Sequence, residues 1–204
     1  MNKREKGILL TATLVASLAV IVAANASRPV PAPPQAVKRP MTREEQLARG
    51  KYMVTIGGCH DCHTPWIIQP DGNPGPDMSR ALSGHPQSFP ITKPARLTSD
   101  RYAVATAPTN TAFSGPWGVS FAANLSPDTM TGTGIWTFDI FKNTIRNGRH
   151  WGVGRPLLPP MPWFNYREMT DEDLLAVFAY TRTLKPIRNE VPQPLPPAPQ
   201  TAGK

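Results

Sequence analysis

Cysteine occurs twice in the 204 residues, and both copies fall in one short stretch, GGCHDCHTPW, as Cys59 and Cys62 with His63 directly behind the second. Two thiols three residues apart and an adjoining imidazole can serve dithiol exchange, zinc ligation, a short disulfide or the attachment of a haem. Dithiol exchange expects a surrounding βαβ pattern, which this sequence lacks. Zinc needs a second ligand pair at fitting spacing, whereas His85 and His150 stand alone in the sequence. A Cys59–Cys62 disulfide closes too short a loop to restrain much of the unfolded chain. Haem attachment uses all three residues: each thiol forms a thioether with one vinyl group, and His63 becomes an axial ligand of the iron. Cys-x-x-Cys-His is the c-type spacing, so the predicted cofactor is one covalently attached haem c with its iron. His60 occupies a variable position inside the motif and is given no role.

The ligand opposite the histidine decides what such a group can do. A methionine thioether saturates the iron, favours electron transfer over reaction with small molecules and raises the reduction potential. Met161 is the candidate, because Pro159, Pro160 and Pro162 in LPPMPW fix the backbone around its sulfur. Met53 reads instead as core packing on a helix. His85 and His150 are alternative axial ligands or proton carriers, but as lone histidines between periodic segments they read more simply as surface or hydrogen-bonding residues. Trp117, Trp136, Trp151 and Trp163 are candidates to pack on the macrocycle, with ordinary core packing the simpler reading for Trp136. Arg149 and Arg155 are candidate partners for propionates, or solvated surface residues.

Three segments carry helical punctuation that could position these groups. In MTREEQLARGKYMVTIGG, Thr42 and Glu45 form a capping box, Leu47, Lys51 and Val54 mark one face, and Gly57-Gly58 stop the helix just before Cys59. In WTFDIFKNTIRNGRH, Phe138, Phe141 and Ile145 recur at helical spacing between a Thr137 cap and Gly148. In MTDEDLLAVFAYTRTLKP, Thr170 and Asp173 repeat the capping pattern, Leu174, Phe178 and Thr181 share a face, and Pro186 closes the segment. Strand signals are poor. The interval from Thr64 to Asn124 and the shorter one from Gly148 to Trp163 are broken by proline and glycine, and a large bound group that both wrap accounts for them.

Residues 1–26 place Lys3, Arg4 and Lys6 ahead of an apolar run and an Ala24-Asn25-Ala26 site, which reads as a secretory signal peptide or an N-terminal membrane anchor. Either puts the rest of the chain outside the cytoplasm. Residues 27–40 form a Pro-rich linker, 41–190 a single domain, and 191–204 a Pro-rich tail, both proline segments being read as solvated arms. The 22 Lys/Arg against 14 Asp/Glu give +8, and residues 1–26 hold three of the first and one of the second, leaving +6 on the remainder. A basic surface favours acidic partners or anionic membranes, or simply solubility. No nucleic-acid-binding motif accompanies the charge, so nucleic acid is not an expected partner.

CHDCHTP, NLSPDTMTGTGIW, PPMPW and TDEDLLAVFAYTRTLKP, in this order across residues 42–190, resemble the monohaem class I cytochromes c of bacterial periplasms and membranes. The resemblance implies a mainly α, cytochrome c-like helical domain wrapped around one haem, with long irregular loops. It implies Cys59, Cys62, His63 and Met161 as haem-binding residues, with His63 and Met161 on the iron. It also implies that the first and last helices cross near the haem edge, with Gly50 and Tyr180 at the contact. Similar sequences serve beside dehydrogenases or as carriers to terminal oxidases of respiratory chains. The Thr64–Asn124 interval is much longer than in a minimal member.

The expected function is therefore single-electron transfer between redox proteins in the periplasm, by a carrier rather than an enzyme. The carrier is free or anchored to the cytoplasmic membrane, and acts alone or within an oxidoreductase complex. Two alternatives stand beside it. One is a haem enzyme with an open sixth position, of peroxidase or sulfur-compound dehydrogenase type. The other is a subunit whose role is structural docking through the long interval.

Overall fold

The computed structural model describes residues 39–96 and 101–197. The leader, nearly all of the linker and the end of the tail, as read from the sequence, lie outside the described residues. Helix α1, Arg43–Ile56, starts where the capping box places it: Thr42 Oγ1 accepts from Glu45 N–H at 3.2 Å and Glu45 Oε2 from Thr42 N–H at 2.8 Å. Such caps are worth about 1 kcal/mol. The Gly57 N–H closes the last turn on Met53 O at 2.9 Å. Gly58, at φ 62°, then turns the chain into the single-turn helix α2, Cys59–His63. The buried face of α1 is Gly50 and Val54, while Lys51, placed on that face from the sequence, is exposed.

Helix α3, Phe138–Asn147, is capped by Thr137 and ended by Gly148 at φ 61°; helix α4, Trp163–Tyr166, follows the methionine loop; helix α5, Asp171–Thr181, is capped by Thr170. Helices α1 and α5 cross with backbone against backbone. A Cβ on Gly50 would sit 2.0 Å from Ala176 O and 2.7 Å from Tyr180 Cβ, so Gly50 and Tyr180 do meet at the crossing. Val54, Leu82 and Val177 form the core beneath it, with Met53, Phe141 and Met169 packed against them.

A mainly α description needs correction, because the described residues hold five short strands beside five α-helices. Strands β1, Trp66–Ile68, and β2, Pro74–Pro76, pair antiparallel with Ile67 opposite Gly75. Strands β3, Ala105–Thr106, β4, Ala112–Gly115, and β5, Gly118–Phe121, form an antiparallel sheet in that order, with Ala112 opposite Phe121 and Gly115 opposite Gly118. Strands of two to four residues are too short to show alternation in the sequence. The β4–β5 turn, Gly115-Pro116-Trp117-Gly118, carries hairpin chemistry, with Gly118 at φ 97°.

The long interval is held by side chains bonded to backbone. Asn189, fully buried, donates to Ser83 O at 2.7 Å and His85 O at 2.8 Å and accepts from Gln87 N–H at 3.0 Å. Leu82 is fully buried, its N–H donating to Thr64 Oγ1 at 2.9 Å. His85 is a buried hydrogen-bonding residue and not a surface one: its Nε2–H donates to Phe89 O at 2.8 Å, which leaves Nδ1 to accept from Thr111 Oγ1 at 2.9 Å. The tail also departs from a solvated arm as far as it is described. Leu195 exchanges both backbone hydrogen bonds with Val119, each 3.0 Å, and its side chain and that of Val191 pack on the Ala112–Val119–Phe121 core. Among the described residues no helix is long and apolar enough to cross a membrane.

Candidate haem site

The single turn of α2 does the first positioning. Positions i, i+3 and i+4 of a helix share a face, so Cys59, Cys62 and His63 emerge together from one turn. All three line a cavity of about 300 Å³, and so does Met161, 98 residues beyond His63 in the chain. Apolar side chains from separate segments complete the walls: Val54 of α1, Leu82, Phe121 of β5, Ile145 of α3, Leu157 and Val177 of α5.

The two ring nitrogens of His63 are distinguished by one contact. Nδ1 lies 2.8 Å from Ala123 O, and a carbonyl only accepts, so Nδ1 carries the hydrogen and Nε2 keeps its lone pair. Burial lowers the His63 pKa and the Ala123 carbonyl opposes it only in part, so the ring stays neutral, as a metal ligand must. The sequence reading missed this carbonyl partner, since nothing local links residues 60 apart.

Cys59 and Cys62 are free thiols. Burial pushes the Cys59 pKa up to about 11 and raises that of Cys62, with Asp61 adding to both. Thiolate chemistry requires the opposite shift, so this pair is not poised for dithiol exchange. Among the described residues no three His, Cys, Asp or Glu side chains gather as a metal cluster, so the zinc reading finds no ligand set there.

Met161 is half-buried in a loop whose Pro159–Pro160 bond is cis. Its N–H reaches Leu158 O at 3.3 Å, and the Pro159 carbonyl accepts a hydrogen bond from Ser120 Oγ. Beyond the loop, α4 supplies Tyr166, whose O–H donates to Gly57 O and ties the methionine side of the cavity to the start of the cysteine motif. Burial first, then the neighbouring Cys59, pushes the Tyr166 pKa up to about 12, so the phenol remains a donor. Tyr166 was also missed, because a four-residue helix leaves no periodic signal.

The remaining candidates divide. Trp136 lines the cavity rather than only packing in the core, and the His150 ring stands edge-on to it at 5.8 Å. Trp117, Trp151 and Trp163 do not line it. Trp117 Nε1 donates to Ser120 Oγ at 3.2 Å, Trp151 packs on Trp136 at 5.4 Å, and Trp163 covers Gly148. Arg155 lines the cavity and Arg149 does not; both are exposed, partial desolvation lowers the pKa of Arg155, and Arg149 donates to Gly154 O at 2.9 Å.

No family model matches the chain. It is similar to a subunit of the nicotinate dehydrogenase of Pseudomonas putida, 36% identical over 77 residues, covering 38% of this chain and 6% of that protein. It is also similar to the fructose dehydrogenase cytochrome subunit of Gluconobacter japonicus, 25% identical over 187 residues, which covers 91% of this chain and 30% of that subunit. A third relative is the gluconate 2-dehydrogenase cytochrome c subunit of Pantoea cypripedii, 27% identical over 134 residues, covering 66% of this chain and 22% of the subunit. The chain thus spans less than a third of the length of each of these relatives. The class that the last two define is the cytochrome subunit of a dehydrogenase.

Proposed function

We propose that this chain is a c-type cytochrome domain that passes single electrons between redox proteins outside the cytoplasm. The observation that carries the reading is the meeting of Cys59, Cys62, His63 and Met161 around one cavity, with the His63 ring held as the Nδ1–H tautomer by Ala123. The donor set fits the group: two thiols to form thioethers by adding S–H across two vinyl bonds, a neutral imidazole with a free lone pair, and a thioether sulfur. A haem bound there supplies an iron that gains and loses one electron.

The chain's own residues do the rest. Cys59 and Cys62 anchor the group to one helical turn, and the Ala123 carbonyl orients His63 and strengthens its donor nitrogen. Val54, Leu82, Phe121 and Val177 keep water from the cavity, and Arg155 offers a cation at its wall for a propionate. The relatives' names support a dehydrogenase as the electron donor. The leader read in residues 1–26 supports a location in the periplasm, free or held at the cytoplasmic membrane. A carrier role rather than an enzyme's is supported by the Met161 thioether at the cavity, since a methionine-ligated iron would leave no open position for a substrate.

The test is acid–acetone extraction of the purified protein with a reduced-minus-oxidised spectrum, followed by the near-infrared methionine–iron band of the oxidised form. Haem that stays with the polypeptide and a band that Met161→Ala abolishes are expected, with a lower potential in the variant. An unchanged band and potential in Met161→Ala would remove Met161 from the iron. Extractable haem, or rapid cyanide binding by the unaltered protein, would overturn the carrier reading.

A further inference from the structure

The β4–β5 hairpin belongs to the interval between Thr64 and Asn124, and it touches the methionine loop through one hydroxyl. Ser120, 7% exposed, lines the cavity from β5. Its Oγ donates to the Pro159 carbonyl, two residues before Met161 and closer than the alternative acceptor Phe113 O at 3.4 Å, and accepts from Trp117 Nε1–H at 3.2 Å. An indole N–H only donates and a carbonyl only accepts, so the direction of the Trp117–Ser120–Pro159 chain is fixed. Pro159 and Pro160 have no N–H of their own to tie the loop down. The hairpin itself is braced, since Val119, next to Ser120, exchanges both backbone hydrogen bonds with Leu195.

We propose that Ser120 is a positioning residue for the sixth ligand: the β4–β5 hairpin is a strut that presses the Met161 loop onto the cavity through the Ser120 hydroxyl. The inference rests on the reading of Met161 as a ligand of the haem iron. Losing the hydrogen bond frees the Pro159 carbonyl and lets the loop lift, so that a competing ligand displaces the thioether more readily. Ser114 provides the control. It stands opposite Val119 on β4, accepts from Ala95 N–H at 2.9 Å and does not line the cavity.

The experiment titrates the oxidised, haem-loaded full chain with imidazole and follows loss of the near-infrared methionine band. Ser120→Ala is expected to bind imidazole roughly 2- to 10-fold more tightly, the range set by the net worth of one hydrogen bond. Ser114→Ala is expected to stay within about twofold of the unaltered protein, since it touches no part of the loop. Ser120→Thr and Ser120→Val, alike in shape and different in one hydroxyl, separate bonding from packing: Thr should resemble Ser, and Val should resemble Ala. That pair decides the matter if Ser120→Ala does not fold. Equal affinities for the Thr and Val variants, an unshifted Ser120→Ala, or a Ser114→Ala that shifts as far, would each overturn the role of Ser120. An unaltered protein with no methionine band would instead overturn Met161 as ligand, and the inference with it.

Discussion

Replacing Gly50 by alanine sets two opposed effects against each other at the crossing that holds the site. In an ordinary helix interior the change stabilises, because alanine is favoured over glycine by about 1 kcal/mol. At Gly50 the new Cβ meets Ala176 O at 2.0 Å, Ala176 C at 2.6 Å and Tyr180 Cβ at 2.7 Å. Two of the three neighbours are backbone atoms of α5 and the third is fixed to it, so no side-chain rotation relieves the clash. The helices must part by about an ångström, which loosens Val54 one turn along and its contacts with Leu82 and Val177. Overpacking of this kind costs about 1–3 kcal/mol, and the loss of core contact adds to it. The net expectation is destabilisation by about 1–3 kcal/mol, the propensity gain being the smaller of the two. In a chain of this size that lowers the melting midpoint by about 2–12 °C. Urea unfolding followed by tryptophan fluorescence measures it, with an unchanged m-value to confirm that both states keep their compactness. A Gly50→Ala variant as stable as the parent, or more so, would refute backbone contact between α1 and α5.

Leu82 lies in the long interval but is fully buried in the core, so Leu82→Ala should cost about 2–5 kcal/mol in the same urea assay; a loss below about 1 kcal/mol would mean the interval is not core. His85 gives a pH dependence. Its folded pKa lies below the ordinary value because burial outweighs the Phe89 carbonyl, so the unfolded chain binds more protons and stability falls as pH drops below about 6.5. Melting midpoints between about pH 7.5 and 5 should show a shallower acid loss in His85→Gln than in the parent, and identical slopes would count against a buried neutral imidazole. Asp171, whose pKa is lowered first by Arg146 and then by Lys142, contributes stability above the ordinary carboxylate range that is lost as pH falls through its folded pKa. At this exposed site the contribution should shrink in molar salt, which is read by comparing Asp171→Asn with the parent at low and high salt.

The sequence by itself determined the parts that are local in the chain. Cys59, Cys62 and His63 fit one helical turn, Thr42 and Thr170 cap their helices through residues three positions on, and Gly148 ends α3 in a conformation that disfavours other residues. Each of these signals lies within five residues, the reach of a helical hydrogen bond. Met161 was legible as a candidate because three prolines frame it, although its place on the same cavity as the motif was not. Only the tertiary structure decided the rest. It brings the Ala123 carbonyl to His63, the Ser120 hydroxyl to Pro159 and the Tyr166 phenol to Gly57, across separations of 60, 39 and 109 residues. It also assigns Trp136 and Arg155 to the cavity wall while leaving Trp117, Trp151, Trp163 and Arg149 out of it. Residue type says what a side chain can bond to. Which partner it meets depends on loop paths fixed by buried groups such as Leu82, His85 and Asn189, whose burial has no periodic trace in the proline-broken segments that carry them.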